Sequence, residues 1–421
     1  MERNKKQSET FLASVLPILL FIRTFVDGKF NFTFGSFSAT QLFGLAIFTG
    51  TLYHFLSKFK NGSAFLLLVS VILAISCLSA IDRWGSRGQD ELIRTVGIFG
   101  IYLTCAHSRN DKSMARFYKS LKVASASCGL FAVFQIVTHS GGIFVSGGWR
   151  YAGLMYSPNT AAILYSSYLM AEYTLFKKID SRFRVISISL SVIGIAITVS
   201  LGGFIFLGIG MLTLMAIKSD TGKFQRVILT LITSSAFILI TYLFLPSFRA
   251  KINNSLLPVY SQNADARSSL QWRFDAWHTF VSYWSQRPIF GQGFGSTRNL
   301  NMAGKFLPHD EYLRLLVEVG IAGILFFLIA YLYTMNKIAD IYKAHHDLNA
   351  LYTLVLMFVM LLNAISENTF TYTIPEYILA ASIGFTFSIH RKRIINLKLS
   401  PPVAKPSENS DFPLRKLEVN D

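Results

Sequence analysis

Long apolar runs separated by short, polar and mostly basic connections make up most of this chain. Crossing the roughly 30 Å hydrocarbon layer of a bilayer takes about 20 mainly apolar residues. Runs of that kind occur near 11–27, 37–57, 64–81, 92–107, 120–138, 158–176, 185–200, 202–217, 227–245, 309–334, 350–367 and 375–390. The pattern predicts an all-α polytopic membrane protein with about twelve transmembrane helices. Between 185 and 217 two arrangements fit: a tight re-entry at Leu201-Gly202-Gly203, or one long helix broken there. A charged start (MERNKKQ) precedes the first run, many runs follow it, and no small-residue cleavage site stands out. That run reads as a retained helix and not as a removed signal peptide.

The connection from 246 to 308 breaks the rhythm. At 63 residues it far exceeds its neighbours, and loops of such length are usually functional. Within it, Leu270, Phe274, Trp277, Val281 and Trp284 recur at helical spacing, and the tryptophans suit a membrane interface. The expected organisation is therefore helices one to nine over 1–245, a large outer loop over 246–308, and three final helices over 309–390. A tail over 391–421 follows, where the stretch SPPVAKPSENSDFP lacks the apolar content to pack and is expected to be disordered.

Composition excludes a soluble enzyme. Charged residues make up only 15% of the chain, against about 25% in soluble proteins, and mean hydropathy is +0.43. The excess of 40 basic over 23 acidic residues would suggest nucleic acid in a soluble protein. Here the basic residues mark cytoplasmic connections instead. With the amino terminus inside, 26 of the 40 fall on inner segments, which places both termini in the cytoplasm. The long loop carries seven basic and two acidic residues, a basic outer cap suited to an anionic, lipid-borne substrate. Cys77, Cys105 and Cys128 all lie in apolar runs and read as small core residues.

Three outer segments carry candidate chemistry. His309, in Pro308-His309-Asp310-Glu311-Tyr312, stands just ahead of the tenth span. The positive end of a helix favours the neutral imidazole, a form suited to a general base. The competing reading is an ordinary interfacial cap, with Asp310 and Arg314 paired one turn apart. Arg150 is the lone charge in an outer segment of nearly twenty residues that ends in Ser157-Pro158-Asn159. An arginine fixed between spans suits a phosphate, or anchors the interface. Arg273 flanks the aromatic stripe, with Trp277 and Phe280 at its fourth and seventh following positions, and Arg267 precedes it in the same basic stretch. Either guanidinium could reach into the bundle or out to lipid headgroups. Gly291-Gln292-Gly293 lacks the strand context of a dinucleotide loop. Glu172 and Glu318 are the clear intramembrane acids, with Arg94 and Glu367 near span ends. So few argue mildly against a proton-driven transporter.

These segments together resemble the O-antigen ligase and O-antigen polymerase superfamily of bacterial surface-glycan enzymes. Ligases of that family carry His, then Asn, Ser or Gln, nine residues, and Gly-x-x-Gly. Here the run is His309-Asp310, residues 311–319, then Gly320-Ile321-Ala322-Gly323. Arg150-x-x-Gly153…Pro158-Asn159 and Arg273…Trp277…Pro288…Gly291-x-Gly293 are similar to its other outer motifs. Two positions depart from the pattern. Asp310 replaces the neutral residue, and Ser200-Leu201-Gly202 stands where many members have a Ser-Arg or Thr-Arg pair expected to hold the donor pyrophosphate.

The resemblance implies an inverting glycosyltransferase of the GT-C type at the periplasmic face of a bacterial inner membrane. It would move a glycan from undecaprenyl pyrophosphate to lipid A–core as a ligase, or to a second lipid-linked repeat as a polymerase. By the same resemblance His309 is the catalytic base, and Arg150, Arg273 and Arg267 bind the donor pyrophosphate. Asp310, Tyr312, Arg314 and Glu318 are supporting residues. No cofactor, metal or nucleic acid is expected, and the partners are lipid-borne glycans and membrane lipids. A non-enzymatic exporter of lipid-linked glycan is the alternative.

Overall fold

The computed structural model describes residues 33–34, 37–38, 86–108, 111–145, 148–175, 181–218, 223–256, 269–299 and 308–399. Over these the chain is mostly helical. Helices α1 (Ser86–Ala106), α2 (Asp111–Val137), α3 (Pro158–Leu175), α4 (Ser181–Thr198), α5 (Leu201–Lys218) and α6 (Lys223–Phe244) come first. A short α7 (Pro246–Leu256), α8 (Ser269–Ser285) and the one-turn α9 (Ser296–Asn299) follow. The last described helices are α10 (Glu311–His345), α11 (Leu348–Asn363) and α12 (Thr373–Leu399). Two small antiparallel hairpins join Thr33–Phe34 (β1) to Phe37–Ser38 (β2) and Ile143–Val145 (β3) to Gly148–Arg150 (β4).

Each apolar run expected from residue 92 onward coincides with a helix, while those near 11–27, 37–57 and 64–81 fall almost wholly outside the described residues. Among the described residues two helices, Lys112–Val137 and Glu311–His345, are long and apolar enough to cross a membrane by length and composition. Leu325, Phe326, Ile329, Leu332 and Tyr333 of α10 are exposed, as are Ile232, Leu239, Ile240 and Leu243 of α6. Apolar faces of that extent mark contact with a membrane or with another protein.

α3 is the axis of the bundle. It is buried along most of its length and packs against α2, α4, α5, α11 and α12. Without a strong hydrophobic drive in lipid, helices associate through small residues that let backbones approach. Gly203 and Gly210, two turns apart on α5, lie close against Ala162 and Met170, and a Cβ at Gly203 would collide with Ala162. Between residues 185 and 217 the structure resolves the two sequence options in favour of separate helices. The break falls at Val199 (φ 50°) and Ser200, so α4 and α5 each pack on α3. Deeper in the bundle, Tyr118, Asn349, Thr353, Ser382 and Thr386 satisfy one another's hydrogen-bonding groups. Cys105 and Cys128 are free and buried, as expected for core residues, while Cys77 lies outside the described residues.

α10 is broken, and the break explains two glycine motifs. Gly320 has φ 68° and ψ −173°, which interrupts the helical ladder. The loop after α8 fills the gap. Ile321 and Ala322 donate their N–H groups to the carbonyls of Pro288 (2.9 Å) and Ile289 (3.1 Å). Gln292 and Gly293 donate to Val317 (2.7 Å) and Glu318 (2.9 Å). Backbone groups freed by the break are thus paired, as a low-dielectric setting requires. A Cβ at Gly320 would collide with the carbonyl of Ile289, and one at Gly291 (φ 69°) with the backbone of Glu318.

On α8, Ala276 and Phe280 with Tyr283 and Trp284 pack on α10, while Phe274 and Val281 of the stripe expected at the membrane interface are exposed. Two other expectations need correction. Residues 391–399, expected in the tail, are the last turns of α12. Phe37 and Ser38, expected to open the second span, pair as strand with Thr33 and Phe34.

Replacing Gly320 by Ala forces a Cβ into both a left-handed φ and a backbone collision. Unfolding in detergent is expected to show a loss of at least about 2 kcal/mol. Gly208→Ala, where a Cβ meets nothing within 4 Å, is expected to stay within about 0.5 kcal/mol of the parent.

A candidate active site at one end of the bundle

His309 lies between two fixed points. Trp277 of α8 donates its indole N–H to the carbonyl of Pro308 (2.8 Å), and the Glu311 N–H donates to Ala364 at the end of α11 (2.8 Å). The chain between them bends sharply, with His309 at φ 49°, a conformation uncommon for a residue other than glycine and often found at functional sites. Asp310 then caps α10 by accepting the Leu313 N–H (2.9 Å). Asparagine or serine would do the same, so the acidic residue at this position keeps the cap. Burial pushes the Asp310 carboxyl up against the opposing pull of its backbone hydrogen bonds.

The residue His309 faces is Glu367. Its Nδ1 lies 3.3 Å from the Glu367 carboxylate, which sits in the turn after α11 and is 6% exposed. Asn159, at the start of α3, donates to the same oxygen (2.8 Å). Arg273 of α8 lies 3.6 Å from the other oxygen and donates to the Ser366 carbonyl (2.9 Å). Burial works against the ionised form of Glu367. The hydrogen bond and charge of His309, with the charges of Arg273 and Arg150, outweigh it and hold the carboxyl below its ordinary range.

Arg150 approaches from β4. Its Nε donates to the Thr198 carbonyl (2.9 Å) and one Nη to the Asn159 side-chain oxygen (2.7 Å). Ser200 donates to that oxygen too (3.0 Å) and accepts the Gly203 N–H (3.2 Å). Ser200 thereby caps α5 and joins the site, while Leu201 beside it brings no charge. A Cβ at Gly202 would already lie 3.3 Å from Glu367. Tyr372 stands near Glu367 and Arg150, its hydroxyl pushed up by burial and by the Glu367 charge. Lys251 of α7 lies within electrostatic reach of Arg150, Arg273 and Glu367.

The fold therefore gathers His309, Arg150 and Arg273 around one carboxylate. Arg267 lies outside the described residues. The supporting residues hold the frame instead of facing the cluster. Tyr312 donates to the Leu361 carbonyl (2.7 Å), tying α10 to α11. Arg314 pairs with Glu311 and Glu318 and not with Asp310. All three are buried, with Thr371 and Thr297 completing the hydrogen bonding of the acids. Sequence reasoning missed Glu367 as the hub, noting it only as an acid near a span end. It also missed Asn159, though the residue stands in a motif it singled out, and Lys251, one of seven basic residues in its loop.

Glu367 is ionised in the fold below its ordinary 4.5, so its contribution to stability is present above that pH and disappears as pH falls through the depressed value. Glu367→Gln leaves the surrounding cations without their counter-charge. Unfolding at pH 7 is expected to show a loss of about 3 kcal/mol, with the gap to the parent closing in acid.

Residues 186–328 match a family model described as O-antigen ligase, and no curated protein matches the chain. The matched interval contains Arg273 and His309 together with the Pro288–Gly293 loop and the Gly320 break. Arg150, Asn159 and Glu367 lie outside it, yet the fold brings them to the same place. Over residues 186–328 the chain is similar to the O-antigen ligase family.

Proposed function

We propose that the cluster transfers a glycan from undecaprenyl pyrophosphate to a hydroxyl of lipid A–core, at the periplasmic face of the inner membrane. The observation that carries this reading is the contact of His309 Nδ1 with the Glu367 carboxylate, 3.3 Å, beside two arginines. An Nδ1–H donated to a carboxylate fixes the tautomer whose Nε2 accepts a proton, and the carboxylate stabilises the imidazolium that forms.

In this mechanism the acceptor hydroxyl gives its proton to Nε2 of His309 as its oxygen forms a bond to the anomeric carbon of the donor. The bond from that carbon to the pyrophosphate oxygen breaks on the opposite face, so the configuration inverts. The pyrophosphate leaves with the electron pair, and its growing charge is met by Arg273 and Arg150. Both guanidinium groups are held by protein acceptors before the donor arrives, which makes the electrostatic stabilisation preorganised. The supporting residues act through the backbone: Asp310 caps the helix behind His309, and Tyr312, Arg314 and Glu318 fix α10.

The test is a deletion strain complemented with wild type, His309→Ala or Arg273→Ala, with membrane insertion of each variant verified and lipopolysaccharide separated by length. His309→Ala is expected to lower transfer by about 10²–10⁴-fold, leaving bare core while long polymer accumulates on the lipid carrier. Core carrying a single repeat would assign a polymerase instead. Normal glycan from a well-inserted His309→Ala protein would sink the general-base mechanism.

A further inference from the structure

Lys251 is placed by local geometry. α7 is pinned to β4, because the Trp149 N–H donates to Ser247 Oγ (3.2 Å) and a Cβ at Gly148 would lie 2.8 Å from Ser247. It is pinned to α5 by Phe248, which is fully buried with its ring 5.2 Å from that of Phe204. Lys251 follows these two anchors by four and three residues, so it shares their face. That face packs on β4, the strand that ends in Arg150, and on the first turn of α5.

In this position the ammonium has companions of its own sign. Burial, then Arg150 and Arg273, lower its pKa from 10.5 to about 8, and Glu367 pulls the other way. Among the described residues Lys251 makes no hydrogen bond or ion pair, whereas Arg150 and Arg273 are each held by protein acceptors. Three cations against one carboxylate leave two positive charges over, which matches the two negative charges of a diphosphate esterified at both ends. A half-buried cation held against two others is unfavourable in the empty protein and favourable once an anion enters.

We propose that Lys251 is a direct ligand of the donor diphosphate, completing with Arg150 and Arg273 a three-cation site that takes up a proton when the lipid pyrophosphate binds. This rests on the reading of the cluster as a diphosphate site given above. Lys251 supplies mobile donors, which suit a leaving group whose charge and position change, while the two arginines form a fixed frame.

The experiment measures binding of undecaprenyl pyrophosphate carrying a single sugar, a diphosphate esterified at both ends, to the purified full chain in detergent, at pH 7 and at pH 9. The groups around Lys251 are Arg150 on β4, Arg273 on α8, Glu367 and Tyr372 after α11, and His309 before α10. Glu367 titrates below this window and Tyr372 above it. Parallel runs in a His309→Ala background remove any contribution of the imidazole. Wild-type Kd is expected to rise about tenfold from pH 7 to pH 9, as Lys251 loses its proton. Lys251→Arg is expected to keep tight binding and lose that dependence. Lys251→Met is expected to raise Kd about tenfold at pH 7 while raising Tm in the absence of lipid, because the repulsion is gone. A merely structural lysine would lower Tm and leave Kd alone. A wild-type Kd that is flat from pH 7 to pH 9 would overturn the proposal without recourse to any variant. So would wild-type affinity in a folded Lys251→Met protein. If Arg150→Gln and Arg273→Gln still weaken binding, the diphosphate reading stands without Lys251. If none of the three substitutions weakens it, that reading falls as well.

Discussion

A carboxylate withdrawn from water inside a helical bundle is stable only while its partners stay in place, and the geometry of the site follows from that condition at Glu367. The turn that carries it is held by Asn363 donating to Thr369 (2.7 Å) and by Arg94 donating to the Phe370 carbonyl (2.6 Å). With the carboxylate fixed, Asn159, His309 and Arg273 arrive from three different parts of the chain, each with a hydrogen bond or charge for it. Arg150 reaches the same centre indirectly, through the Asn159 amide. Its charge is therefore positioned without being neutralised by a direct contact. The network holds its arginines in place without neutralising all of their charge.

A second constraint is mechanical. His309 must stand at the start of α10, and α10 must also pass through an apolar layer. The break at Gly320 separates the two tasks. The segment N-terminal to it, Glu311 to Val319, is fixed by α8, by the Pro288–Gly293 loop and by the buried group of Glu311, Arg314 and Glu318. Beyond the break the helix is apolar and outward-facing, with Ile329 and Tyr333 exposed. The Gly-x-x-Gly run eleven residues after His309 is thus a backbone requirement, since only glycine tolerates the φ and the approach of the Ile289 carbonyl at Gly320. It bears on the site by holding the helix that follows His309.

How much of this could be read beforehand differs by residue. Helices were legible because burial in lipid demands long apolar runs, and those runs are local in sequence. The motif from His309 to Gly323 was legible because it lies within one helix and its lead-in, so the spacing is itself the geometry. Arg150 and Arg273 stood out as charges in segments that otherwise suit an interface. The stripe on α8 was read as a face for the membrane interface, and its Phe274 and Val281 are exposed. Periodicity finds an apolar stripe, but Phe280 and Ala276 are chosen by the surface of α10 that receives them. Arg314 was paired with Asp310 by spacing, whereas burial selected Glu311 and Glu318, the acids that enter the same dry pocket.

The amino-acid sequence by itself determined a helical membrane protein with a basic loop, an imidazole at a helix start and two well-placed arginines. Those properties depend on neighbours a few residues apart, where chain connectivity sets the distance. The tertiary structure alone decided that Glu367 is the hub, that Asn159 bridges it to Arg150, and that Lys251 lies within electrostatic reach of Arg150, Arg273 and Glu367. Asn159 and Glu367 are 208 positions apart and meet at 2.8 Å. Such a pairing leaves no periodic trace in the chain, because it is fixed by how α3, α8, α10 and α11 pack and by the cost of burying a charge without a partner.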